Sequence, residues 1–130
     1  MFTTERIVEF GMCDSAGILF FAKIFELFHS TYEEFILSSD LDNNYFENET
    51  FAIPLVSSNA DFHKPIAMHE VLKIELSVVS IGNSSFSLRT EFYNEEHNLK
   101  ATVNTTHIFV GKSDFKKMDI PEEFLNFLKE

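Results

Sequence analysis

The period of the apolar positions changes along this chain, and each change marks an element. Residues 4–10 alternate weakly through Ile7, Val8, Glu9 and Phe10, which predicts a first strand. Gly11 to Gly17, Gly-Met-Cys-Asp-Ser-Ala-Gly, reads as a loop. From Ile18 to about Ser38 the spacing becomes helical. Phe21, Ile24, Phe25, Phe28, Tyr32, Phe35 and Ile36 recur, and Lys23, Glu26, Ser30, Glu33 and Glu34 fall mostly between them. That pattern predicts one long amphipathic helix with a broad apolar face. Asp40 to Thr50, rich in Asp, Asn and Glu, is a solvated loop.

Beyond this loop the period is two. Phe51–Phe62, Val71–Ile81, Phe86–Tyr93 and Ala101–Val110 read as four strands, punctuated by Pro65, Gly82-Asn83 and Asn94–Asn98. Pro121, followed by Glu122 and Glu123, starts a short terminal helix, with the proline at a first-turn position and acids at the positive end of the dipole. No repeat, low-complexity run or linker divides residues 1–130, which are expected to form one α+β domain. One helix can cover one face of a five-stranded antiparallel sheet if the sheet curls around it. Such a sheet keeps an open edge that needs a cap or another subunit, so a homodimer or homotetramer is expected.

Composition narrows the function. At 130 residues and 45% apolar content the chain can build a real core. A formal net charge of −11 argues against nucleic acid or an anionic membrane as partner, but a local group of lysines can still hold an anionic small molecule. The one cysteine allows no disulfide framework within the chain and suits a reducing cytoplasm. Met1-Phe2-Thr3-Thr4-Glu5-Arg6 lacks a signal-peptide pattern, and no run approaches the roughly 18 apolar residues of a membrane span. A cytoplasmic protein is expected. Sixteen phenylalanines with no tryptophan point to a Phe-packed core, and some of them can also line a pocket.

The segment Arg6-Ile7-Val8-Glu9-Phe10-Gly11-Met12-Cys13-Asp14-Ser15-Ala16-Gly17-Ile18-Leu19-Phe20-Phe21 resembles the opening of the 4-hydroxybenzoyl-CoA thioesterase family. That family's pattern there is Phe-x-Asp-x-Asp-x-x-Gly-(Ile/Val)-(Val/Leu)-aromatic. Ile53-Pro54-Leu55-Val56-Ser57-Ser58-Asn59-Ala60-Asp61-Phe62, with Lys64-Pro65 after it, is similar in kind, and the likeness runs nearly the whole chain in register. The resemblance implies a hotdog fold, a curled five-stranded antiparallel sheet around one long helix, and hydrolysis of an acyl-CoA thioester with no cofactor, coenzyme A being part of the substrate. The departures are specific. Met12 replaces the first acid of the motif, Phe21 stands where some members carry histidine, and Gly82-Asn83-Ser84 occupies the place of a basic cluster for the CoA nucleotide.

Thioester hydrolysis needs a carboxylate or base near the carbonyl carbon and a donor for the developing oxyanion. Asp14, three residues before Gly17, is the candidate carboxylate, either as nucleophile through a mixed anhydride or as general base on water. Spacing alone also allows Asp14 to be a helix cap. By the resemblance, the backbone N–H of Phe21 is the oxyanion donor and Gly17 lets the thioester approach the backbone. Cys13 is expected to be a packed small residue, not a nucleophile. The five histidines show no metal-ligand spacing, His63 and His69 being only a weak pair, so no metal is expected.

His29 lies two helical turns after Phe21, near the face of Phe25 and Tyr32. It is either an ordinary helix histidine or a contact to the distal end of an acyl group. A histidine there, with Phe51-Ala52-Ile53-Pro54-Leu55-Val56, resembles the 1,4-dihydroxy-2-naphthoyl-CoA thioesterases of menaquinone and phylloquinone synthesis. Phe25, His29 and Asn59 are therefore the candidate substrate contacts. Lys64 is the foremost candidate for the CoA phosphates, with Lys112, Lys116 and Lys117 next and Arg89 behind them. The expected function is an aromatic acyl-CoA thioesterase. A short-chain or acyl-carrier-protein thioesterase is the alternative among enzymes, and a non-catalytic acyl-CoA-binding domain the alternative outside them.

Overall fold

The computed structural model describes residues Met1–Glu130. In chain order these form β1 (Phe2–Ile7), a 3-10 turn (Phe10–Met12), α1 (Lys23–Leu37), β2 (Phe51–Ala52), β3 (Leu55–Phe62), β4 (Val71–Ile81), β5 (Ser85–Tyr93), β6 (Leu99–Ile108), β7 (Val110–Gly111) and α2 (Glu122–Leu128). Five strands make one antiparallel sheet in the order β1-β4-β5-β6-β3, and β2 pairs with β7 in a separate ribbon. Irregularities at Val78/Ser80, Phe92/Tyr93 and Leu55/Ser57 locally bend the strands. The sheet curls around α1 without closing, as the element order predicts.

Strand alternation selects the face that meets the helix. Leu72, Ile74 and Leu76 of β4, Phe86, Leu88, Thr90 and Phe92 of β5, and Ala101, Val103, Thr105 and His107 of β6 are buried on it. α1 answers with Ile24, Leu27, Phe28, Thr31, Tyr32, Phe35 and Ile36, spaced three and four apart. Seven of the sixteen phenylalanines are buried in the core, and six are exposed. Phe124 of α2 packs on Tyr45, Phe86, Phe109 and Phe127. The acidic loop after α1 is tied down through Glu123, which accepts from the backbone N–H of Asp42, from Asn43 Nδ2 at 3.1 Å and from the Tyr45 hydroxyl at 2.6 Å.

Several boundaries differ from the sequence expectation. The helix begins at Lys23, five residues after Ile18, because Ile18 and Leu19 are extended and bridge to Ala67 and Cys13. Their apolar side chains match helical spacing by coincidence, which periodicity cannot separate over so few residues. The strand expected over Phe51–Phe62 is broken at Pro54, which has no N–H to give a ladder and accepts from Ile108 N at 3.1 Å. The first strand ends at Ile7, and Phe10 enters the 3-10 turn. Pro121 is the N-cap of α2, one position outside the helix.

One polar group in the core carries a consequence for stability. His107 is 2% exposed, with its ring 5.0 Å from that of Phe86 and 4.8 Å from that of Tyr32. Burial, with the charge of nearby His29 as a second cause, pushes its pKa from 6.5 down to about 4. The unfolded chain therefore takes up this proton as pH falls below 6.5, and the folded protein resists it until about 4. The contribution of neutral His107 is complete above that window and lost on acidification through it, by up to ~3 kcal/mol. Urea unfolding of wild type and His107→Phe at a series of pH values measures this. Wild type should lose stability more steeply than the variant below pH 6.5, and parallel losses would assign the effect to other groups.

Candidate active site

The segment from Phe10 to Phe21 builds the site by folding back on itself. Gly17 N donates to Asp14 O at 3.0 Å, and Asp14 N donates to Ile18 O at 2.9 Å, closing a tight turn at whose tip Asp14 stands exposed. Gly17 takes φ +78°, which a side chain would strain. No atom lies within 4 Å of where its Cβ would be, and Gly17 does not line the cavity described below. The positive φ alone makes glycine a requirement of the turn, and the space where its Cβ would stand is open. Asp14 Oδ1 accepts from Ala16 N at 2.9 Å, which holds the carboxylate in one orientation. Asp14 is not a helix cap: α1 is capped at Ala22, without any side-chain bond.

Asp14, Phe21, Phe62, His63 and Lys64 converge on one cavity of about 350 Å³, lined also by Ile18, Leu19, Pro65 and Ile66. Lys64 arrives there because β3 ends at Phe62 and His63 N and Lys64 N both donate to Lys100 O, at 2.8 and 3.2 Å. The N–H of Phe21 donates to nothing in the protein, while those of Phe20, Lys23 and Ile24 are bonded. A residue with a free backbone donor, a carboxylate and a cation thus line one small space. Cys13 is half-buried against the core, its thiol 3.6 Å from Glu9 O, and lies outside that space.

A second, more open groove of about 600 Å³ lies farther along the seam between α1 and β3. Phe25, Phe28, His29, Leu55 and Ser58 line it, with Glu26, Ser30 and Glu33 at its rim. Phe21, Phe25 and His29 follow one another four residues apart, and Ser58 precedes Phe62 by four on the same face of β3. The groove and the cavity therefore lie along one seam, about 13 Å apart on β3. Asn59 does not join it. Next to Ser58 in the strand, it points to the outer face of the sheet, where Asn104 Nδ2 donates to its Oδ1 at 3.4 Å.

The other cations also stand apart. Lys112, Lys116 and Lys117 lie on the turn after β7, toward the opposite end of β3, and Arg89 sits between Ser77 and Asn104 on the outer face. No group of three or more His, Cys, Asp or Glu side chains comes together to hold a metal. His63 lies 3.0 Å from Thr102 Oγ1 through a ring nitrogen. Leu19, Ser58, Phe62 and Ile66 were not singled out from the sequence. Ser58 and Phe62 share one face by the period of two, a signal that was present.

The Thioesterase-like superfamily is matched by residues 8–128 of the chain. A 1,4-dihydroxy-2-naphthoyl-CoA hydrolase from Nostoc punctiforme is 30% identical over 129 residues, 98% of this chain and 86% of that protein. One from Trichodesmium erythraeum is 27% identical over 130 residues, 98% of this chain and 94% of that protein. The crystal structure of a 1,4-dihydroxy-2-naphthoyl-CoA thioesterase from Synechocystis superposes with a TM-score of 0.90 at 26% identity, covering 99% of this chain and 96% of that one. No helix of the protein is long and apolar enough to cross a membrane.

Proposed function

We propose that this chain, which belongs to the Thioesterase-like superfamily, hydrolyses 1,4-dihydroxy-2-naphthoyl-CoA with Asp14 as the reacting carboxylate. The observation that carries the reading is the shared cavity of Asp14, Phe21 and Lys64, with the aromatic groove of Phe25 and His29 farther along the same seam. The thioester carbonyl sits in the cavity, where the free Phe21 N–H donates to its oxygen as negative charge develops. Asp14 either removes a proton from the attacking water or attacks the carbonyl carbon itself. In the second route coenzyme A leaves as thiolate, and water then cleaves the mixed anhydride. Lys64 lies on the same rim and is the proposed contact to the coenzyme where it leaves the cavity, as a point charge. The acyl ring lies in the groove, where His29 meets a ring hydroxyl. The names of the relatives from Nostoc punctiforme and Trichodesmium erythraeum support this acyl group.

The groove is open on one side, and β3, which forms its other wall, is an edge strand. All but Ala60 of its residues are exposed, among them the apolar Leu55, Val56 and Phe62. A second copy pairing antiparallel through β3 satisfies the free backbone groups and covers these side chains. The functional unit in this reading is a homodimer or a dimer of such dimers.

Three measurements test these assignments. Asp14→Asn is expected to fold as wild type does, by circular dichroism, and to lose at least about 10²-fold in kcat. Activity within about threefold of wild type would remove Asp14 from the chemistry. In a panel of CoA esters, the dihydroxynaphthoyl and 4-hydroxybenzoyl esters should exceed acetyl and butyryl in kcat/KM. His29→Ala should reduce that advantage by about 1–3 kcal/mol, the scale of a lost buried hydrogen bond. Straight-chain esters winning, with His29→Ala silent, would leave a short-chain thioesterase. Light scattering at micromolar concentration should report a dimer or tetramer, and an active monomer contradicts the β3 pairing.

A further inference from the structure

His29, at the surface of the acyl groove, is the outer end of a column of rings that begins in the sheet. Phe86 of β5 and His107 of β6 lie 5.0 Å apart between centroids with 6° between their planes. On His107 also lies Tyr32 of α1, at 4.8 Å and 18°, and Tyr32 in turn stacks on His29 at 6.4 Å and 28°. The column thus ties two strands to the helix and ends on a side chain that lines the groove. Its middle member is polar although 2% exposed, a position that an aliphatic side chain fills without desolvating an imidazole. One ring nitrogen, Nε2, lies 2.9 Å from the hydroxyl of Thr105, so the rotation of the ring is set from the strand as well as by the stacking.

We propose that His107 is a positioning residue for acyl recognition: held flat between Phe86 and Tyr32, it fixes Tyr32 and through it the orientation of the His29 ring. An exposed histidine left to itself samples several staggered rotamers, and stacking on a buried tyrosine narrows that sampling. A contact placed in advance discriminates between acyl groups better than one that must be ordered on binding. His107 itself touches no substrate, because Phe28 and His29 stand between it and the groove. The inference rests on the reading that the acyl group occupies this groove.

The test compares His107→Leu, which removes the plane, with His107→Phe, which keeps it. Both are measured with 1,4-dihydroxy-2-naphthoyl-CoA and with butyryl-CoA. In His107→Leu the ratio of the two kcat/KM values is expected to fall roughly ten- to hundredfold, chiefly through KM of the aromatic ester, the scale set by a misplaced positioning group. His107→Phe should keep most of the ratio. Equal losses on both esters, or Leu and Phe variants that behave alike, make His107 merely structural and overturn the proposal. The second readout is the imidazole resonance of His29 in the ligand-free protein, identified by its disappearance in His29→Asn. It should shift in His107→Leu and hold in His107→Phe. If wild type shows no preference for the aromatic ester, the substrate reading fails, and the resonance decides the column by itself. If His107→Leu does not fold, Tyr32→Leu breaks the next ring and should give the same pattern. In wild type alone, a His29 ring that averages over several rotamers above Tyr32 contradicts the proposal.

Discussion

Burial of one broad apolar helix face against one face of a sheet shapes this molecule more than any other contact. α1 contributes Ile24, Leu27, Phe28, Tyr32, Phe35 and Ile36, and three central strands answer with alternate residues that are buried with them. Because there is one long helix, the sheet must bend to wrap it, and the bulged positions let it do so. The outer face stays polar, with Arg89, Asn104 and Asn59 along it, and no element of the chain covers it. The terminal helix α2 closes one end with Phe124 and Leu128.

The candidate carboxylate sits where this packing runs out. Before α1 can begin, the chain has to pass from β1 around the end of the sheet, and it does so through a turn held by its own backbone bonds. That turn needs a positive φ at Gly17 and leaves Asp14 at its tip. The extended residues Ile18 and Leu19 then tie it to Cys13 and Ala67. The late start of the helix has a chemical effect. Had it begun at Ile18, Phe21 N would donate to Gly17 O four residues back; as built, it donates to nothing in the protein.

Helix and edge strand share responsibility for the groove. The helix offers Phe25 and His29 at its spacing of four, and β3 offers Leu55 and Ser58. The strand's other edge is free, so one wall of the groove is also the surface most in need of a partner. Behind the helix wall, the stacked rings of Tyr32, His107 and Phe86 connect the groove to the middle of the sheet. Phe28 belongs to both, lining the groove and buried in the core.

Much of this was legible in the residues. The period of two over Val71–Ile81 matches β4 at both ends, and the helical spacing of Ile24 to Ile36 marks the buried face of α1. Asp14, Phe21 and Lys64 were singled out from a motif and do meet at one cavity. What was not legible depended on the neighbours of each residue. Ile18 and Leu19 are apolar in either conformation, and only their bridges to Ala67 and Cys13 make them extended. Asn59 carries the right chemistry for a ring hydroxyl, but the pairing with Asn104 puts it on the far face. His107 in the sequence is one polar residue in a β-rich run. The elements, their buried faces and the candidate carboxylate can be read from the residues alone, because periodicity and turn chemistry are local. Where the helix starts, which side of β3 meets the groove and the buried histidine behind His29 come from the folded chain, because each depends on contacts between segments distant in sequence.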